Sequence, residues 1–292
     1  MLAAKLALLV PLALLGAFFS GFWLRALRKR PDTPLRPSAA ETGIGFLTDF
    51  LDTLGIGSFA TTTALFRLKS RVPDRLLPGT LNVGHALPTI AQALIYIVIV
   101  EVDPLTLALL VGASALGAHL GAARVSQWPV HHVQIAMGVS LLAASVLLFL
   151  RLVQLLPAGG DALGLSGGFL AIGIAGNFVL GALMTMGVGL YAPCMIMVAL
   201  LGMNPKAAFP IMMGSCAFLM PVASLRFVRA DSYAPKAAIG LTLGGIPGVL
   251  IAAYVVRELP LDAVRWLVLF VAVFTAASLL RAGAVRWRTV GI

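Results

Sequence analysis

Residues 6 to 24 form an apolar run without a charge, and it stops at Arg25, Arg28, Lys29 and Arg30. Runs of comparable length recur at 79–100, 104–123, 130–150, 207–225, 237–256 and 263–280, separated by short charged loops. About 20 helical residues cross the hydrocarbon of a bilayer, and inside it each backbone N–H and C=O must find a partner within the protein. The chain therefore reads as a bundle of membrane helices. Composition agrees, with 60% hydrophobic and only 11% charged residues, where a soluble globule carries roughly a quarter charged. In 292 residues there is room for seven to nine spans and no sizeable soluble domain.

The net charge of +10 is carried by Lys and Arg in the loops, where basic residues set topology, so nucleic acid is not an expected partner. Placing the cluster after residue 24 in the cytoplasm puts the N-terminus outside and the C-terminus inside. It leaves 16 of the 21 Lys and Arg residues on the cytoplasmic side. The first run lacks a signal-peptide cleavage site and reads as a retained span. Cys194 and Cys216 both fall in apolar stretches, which points away from a disulfide framework or a cysteine-rich metal site.

Two segments depart from the simple span. Residues 39–66 follow Ser38-Ala-Ala-Glu41, a capping-box pattern, and are interrupted at Gly55-Ile56-Gly57. Basic residues flank both ends of this segment, and it is too short for two crossings, so it reads as a re-entrant hairpin of two half-helices. A related segment, about 163–202, is interrupted at Gly187-Val188-Gly189. At an offset of 132 residues, 46–78 and 178–210 align without a gap and share Phe46, Leu51, Thr53, Gly55, Gly57, Ala60, Leu68, Pro73 and Pro78. Each unit then holds one hairpin and three crossings. That odd number makes the second copy run upside down, the pattern of an inverted repeat. The expected fold is an all-α polytopic membrane protein with seven transmembrane helices and two broken-helix hairpins, up to nine spans if the hairpin arms cross fully. The expected division is 1–38 (first helix and loop), 39–157 (first repeat) and 158–292 (second repeat).

Inverted repeats with broken helices place a substrate near the midplane, against half-helix N-termini that carry unpaired N–H groups and positive dipole ends. In the first copy this points to Gly57, Ser58, Thr61 and Thr62; in the second, to Gly189, Tyr191 and Cys194. Hydroxyls bonding back to their own helix are the plain alternative. Asn82, His85, Thr89 and Gln92 share one helical face of the span 79–100, with Asn82 and His85 as further substrate contacts, or else as interhelical hydrogen-bonding groups. Asp49 and Asp52, at membrane depth, are candidates for proton coupling, or for pairing with Arg67 or Lys69. Eight of the ten methionines lie between Met184 and Met220, which opens a soft-metal reading beside that of adaptable packing. Ser58, His85 and an aspartate are also the residue types of a hydrolase.

The run from Gly45 to Thr62, with Gly187-Val188-Gly189-Leu190-Tyr191-Ala192-Pro193-Cys194, resembles the TauE/SafE sulfite exporter family, also called the toluene-sulfonate uptake permeases. The resemblance implies a bacterial inner-membrane carrier of sulfite, a sulfonate such as sulfoacetate, or thiosulfate. No nucleotide-binding motif is present, so the expectation is a gradient-driven secondary transporter, not an enzyme, without cofactor or structural metal. Its expected partners are a small anion, the lipid bilayer and a coupling proton.

Overall fold

The computed structural model describes residues 2–30, 35–68, 71–155, 159–187, 189–254 and 261–290. In chain order its helices are α1 (Leu2–Arg28), α2 (Ala39–Thr53), α3 (Ser58–Leu68), α4 (Leu77–Ile99), α5 (Pro104–Val125), α6 (Val130–Leu152), α7 (Gly167–Met184), α8 (Tyr191–Leu200), α9 (Ala208–Arg229), α10 (Pro235–Tyr254) and α11 (Leu261–Val290). Single 3-10 turns precede α4 and α9. Among the described residues there is no strand, and α1, α4, α5, α6, α7, α9 and α10 are long and apolar enough to cross a membrane. The protein is an all-α polytopic membrane protein. Lys69 and the expected repeat boundary at 157/158 lie outside the described residues.

The helices gather their ends at two opposite faces. At one face Arg30, just beyond α1, pairs with Asp231, just beyond α9. Lys236 at the start of α10 lies 3.9 Å from Glu41 at the start of α2. Thr80 at the start of α4 accepts from the Ala234 N–H (2.9 Å). Arg67, at the end of α3, bonds Asp74, just before α4. The first hairpin therefore enters and leaves at the same face. The second hairpin does so at the other face: Leu165, before α7, donates to Thr106 of α5, and Asn204, after α8, donates to the Ala162 carbonyl. The two hairpins point toward each other from opposite faces, as an inverted repeat requires.

The packing partners obey the same relation. α2 lies along α10 as α7 lies along α5; α4 meets α10 as α9 meets α5; α4 crosses α9, and α6 pairs with α11. Exchanging α2–α6 with α7–α11 maps each of these contacts onto another. A stripe of small residues on α5 makes the α5–α7 seam: a methyl group on Gly117 would overlap the Phe178 carbonyl, and one on Gly121 would press on the Ala182 carbonyl. On α10 the same task falls to Gly244 and Gly248, against the carbonyls of Thr42 and Phe46 in α2.

The hairpins differ in one respect. α7 has 18 residues, no acid and the length of a full span, whereas α2 stops after 15 residues and carries Glu41, Asp49 and Asp52. A carboxylate is costly in hydrocarbon, so the first hairpin keeps its acidic arm short and inside the bundle.

Candidate functional site

α2 is started by the expected capping box. The Glu41 carboxylate accepts from the Ser38 N–H (2.6 Å), and the Ser38 hydroxyl accepts from the Glu41 N–H (3.4 Å). It is ended by a turn through Gly55 (φ +83°) and Gly57 (φ +89°), and the second hairpin turns at Gly187 (φ +94°), the residue matching Gly55. Side chains strain such a backbone, and glycine does not. This turn swings α3 so that its first N–H groups face the Asp52 side chain. The Ser58 N–H donates to Asp52 Oδ1 (2.5 Å), and Asp52 is 3% exposed. A carboxylate at a helix N-terminus meets both an unpaired donor and the positive end of the dipole. α8 opens on Leu190 without a side-chain cap.

Beside this contact runs a fully buried chain of three side chains. His85 Nδ1 lies 2.9 Å from both Asp49 oxygens, and His85 Nε2 lies 3.0 Å from Thr62 Oγ1. Asp49, His85 and Thr62 are each 0% exposed. With Asp49 ionised, the carboxylate only accepts and Nδ1 is the donor. The Thr62 hydroxyl donates to the neutral ring and accepts from the charged one, and the chain accommodates either protonation state of His85. A second network ties the hairpins together: Tyr191 of α8 donates to Gln92 Oε1 (2.7 Å), and Gln92 donates to Thr53 Oγ1 (2.9 Å) of α2.

Where the hairpin tips meet there is a small cavity of about 10 Å³, room for a single water. Asp52, Gly57, Ser58 and Phe59 line it from the first copy, and their matches Met184, Gly189, Leu190 and Tyr191 line it from the second. Four matched pairs around one cavity place it on the axis relating the repeats. Thr89, Cys216 and Met220 complete the lining, so one side is polar and the other carries sulfur. A further crevice of about 60 Å³ shares Gly57, Phe59, Gly189 and Tyr191 with the cavity and extends along α6 to Arg151. Those four residues form the wall between the two spaces.

Of the residues expected from the sequence, Asp52, Gly57, Ser58, Gly189 and Tyr191 converge on the cavity, and Asp49, Thr62 and His85 form the chain behind it. Thr61 instead bonds back to the Ser58 carbonyl (2.9 Å). Asn82 donates to the Pro78 carbonyl (2.8 Å). Cys194 is buried and lines neither space. Arg67 pairs with Asp74 rather than with either buried aspartate. Of the remaining lining residues Phe59, Met184, Cys216 and Met220, the sequence points to the two methionines, through the soft-metal reading. The 132-residue offset would have found Phe59 and Met184, because Met184 matches Asp52 and Phe59 matches Tyr191. Comparison of the chain with protein-family models, with curated proteins and with solved structures finds no match.

Proposed function

We infer that this protein is a secondary carrier of a small anion, of the sulfur-oxyanion class implied by the resemblance of its hairpins to the TauE/SafE family. The observation that carries the reading is the Asp52 carboxylate on the Ser58 N–H, in a cavity on the axis between the repeats. The donor set at the tip of α3 already holds an anionic group, and a substrate oxyanion takes that place when Asp52 yields it. The uncapped start of α8 supplies the facing donors. Met184, Cys216 and Met220 offer a polarisable surface suited to the sulfur or alkyl end of thiosulfate or a sulfonate. The wall of Gly57, Phe59, Gly189 and Tyr191 is the element that has to part for exchange with the crevice.

Among the described residues no lysine or arginine lines the cavity, so a second negative charge beside ionised Asp52 is uncompensated. Two like charges 4 Å apart repel by about 4 kcal/mol at an effective dielectric constant of 20. Substrate binding on this reading therefore takes up one proton at Asp52. The other titratable groups facing it are Asp49, His85, Tyr191 and Cys216. The sign follows: proton uptake on binding makes the anion bind more tightly as pH falls and more weakly as pH rises.

The test uses an alkanesulfonate, whose own charge is constant with pH, and measures its Kd on purified protein by calorimetry. Where unliganded Asp52 is ionised, the Kd of the unaltered protein should rise about tenfold per pH unit, and that of Asp52→Asn should stay level. Equal slopes would return Asp52 to the role of a helix cap. The Tyr191 hydroxyl donates to Gln92 Oε1; on this reading it swings to the anion on binding, so Tyr191→Phe should weaken binding by about ten- to a hundredfold, the range for a hydrogen bond to a charged group. Thr61→Val, whose hydroxyl is spent on its own helix, should change it little. The sulfur side of the cavity favours a second reading, transport of a soft cation. If Ag⁺ binds and no sulfur oxyanion does, that reading replaces the first. A hydrolase finds less support, since His85 Nε2 engages Thr62 rather than Ser58 and Thr62 lines neither space.

A further inference from the structure

A cleft far roomier than the axial cavity lies away from the hairpin tips, at the face where the basic residues gather. It is an open cleft of about 990 Å³ between the 3-10 turn before α4, the start of α6 and the C-terminal half of α11. Arg67, Arg75, Arg281 and Arg286 line it, with Asp74 as the one acid. Asp74 is already engaged: Arg67 Nη1 and Gln134 Nε2 both donate to its Oδ2 at 2.8 Å. Arg67 also donates to Ser278 of α11 (3.1 Å), so the floor of the cleft is a fixed network joining α3, α6 and α11. Arg75 and Arg281 are exposed at its mouth and make no ion pair among the described residues.

Two further features define what the cleft would fit. Gln134, only 6% exposed, lines the cleft with its Oε1 lacking a partner among the described residues. That buried acceptor asks for an O–H or N–H donor. Phe274 and Val285 of α11 line the same cleft and are 67% and 57% exposed, so one rim is apolar and outward-facing. A ligand matching all of this has a negative charge for the arginines, a hydroxyl for Gln134 and hydrocarbon for the rim.

We propose that this cleft binds the head group of an anionic phospholipid, with the phosphate between Arg75 and Arg281, a head-group hydroxyl on Gln134 and the acyl chains against Phe274 and Val285. Basic pockets between membrane helices are suited to such lipids, and the apolar rim separates a lipid from a free anion. The site also touches the carrier machinery, because α3 starts at Ser58 in the axial cavity and ends at Arg67 and Leu68 beside the cleft.

Native mass spectrometry of the purified protein tests this with phosphatidylglycerol, phosphatidylcholine and inorganic phosphate as probes. Phosphatidylglycerol should be retained at near-physiological salt and phosphatidylcholine should not. Arg75→Gln/Arg281→Gln should weaken retention roughly thirtyfold, at about fivefold for each neutralised arginine. Both arginines are exposed, so the fold should survive, and an unchanged thermal midpoint checks it. Arg25→Gln/Arg28→Gln, with the same charge change outside the cleft, should retain the lipid. Equal retention of both lipids, equal loss in both double variants, or displacement of phosphatidylglycerol by millimolar phosphate would each overturn the proposal. Gln134→Leu supplies an independent arm: it should weaken phosphatidylglycerol relative to a phosphatidic acid of the same chains, and an unaltered ratio would count against the hydroxyl contact.

Discussion

His85→Leu is expected to lower the stability of the folded protein by about 3–5 kcal/mol, the cost of breaking a buried ion pair from one side. Both Asp49 oxygens have His85 Nδ1 as their partner at 2.9 Å, and neither residue is reached by solvent. Leucine leaves a carboxylate at membrane depth without a donor. Independent arithmetic gives a similar figure: neutralising an ordinary carboxyl at pH 7 costs about 1.4 kcal/mol for each pH unit above about 3.9, or about 4 kcal/mol. The deficit should accordingly shrink as pH is lowered toward 5. Asp49→Asn should be milder, because the amide oxygen still accepts from the ring and a neutral imidazole needs no counter-charge, whereas leucine strands the carboxylate. The double variant Asp49→Asn/His85→Leu should recover part of the loss, a non-additivity expected for residues in direct contact. Thermal unfolding midpoints in one detergent measure all three. If His85→Leu is no worse than Asp49→Asn, the ring is not what stabilises the buried carboxylate.

The sequence shows that His85 faces protein rather than lipid, because it shares a helical face with Asn82, Thr89 and Gln92. It does not show which neighbour the ring meets, since Asp49 is 36 residues away and the α2–α4 approach sets the pairing. The hairpins themselves are legible. Glycines at 55, 57, 187 and 189 interrupt otherwise apolar runs, and the residue matching by 132 positions pairs the two tips correctly. What lies at the tips is less so. Asp52 looks like an intramembrane acid by position alone, and its seat on the Ser58 N–H depends on the sharpness of the turn at Gly55 and Gly57. For the same reason Thr61 and Thr62, adjacent in sequence, part ways: one returns to its own backbone and the other reaches α4. Cys194, expected at the site from its place after Gly189, lines neither space, and Cys216 of α9 reaches the cavity instead.

Helix phase decides the clearest pair of substitutions. Gly112 on α5 and Gly244 on α10 match at the same 132-residue offset, and sequence alone gives them the same role. In the folded chain Gly244 sits in the α2–α10 seam, where a methyl group would overlap the Thr42 carbonyl, whereas Gly112 has nothing within 4 Å of such a group. The α5–α7 seam uses Ala113, Gly117 and Gly121 instead, one position along, a rotation of about 100°. Overfilling a packed interface costs about 1–3 kcal/mol when side chains can move aside. At Gly244 the obstacle is backbone, so relief requires the helices to separate along a contact that also holds Gly248 and the Asp49 carboxylate against Gly245. Gly244→Val should therefore lose more than that range and yield little monodisperse protein. Gly112→Val, on an exposed helix surface, should stay within about 0.5 kcal/mol of the parent. Gel filtration and thermal midpoints compare the two directly. Equal behaviour would mean that α10 does not present Gly244 to α2, and the orientation of the first hairpin, with Asp52 at the axial cavity, would go with it.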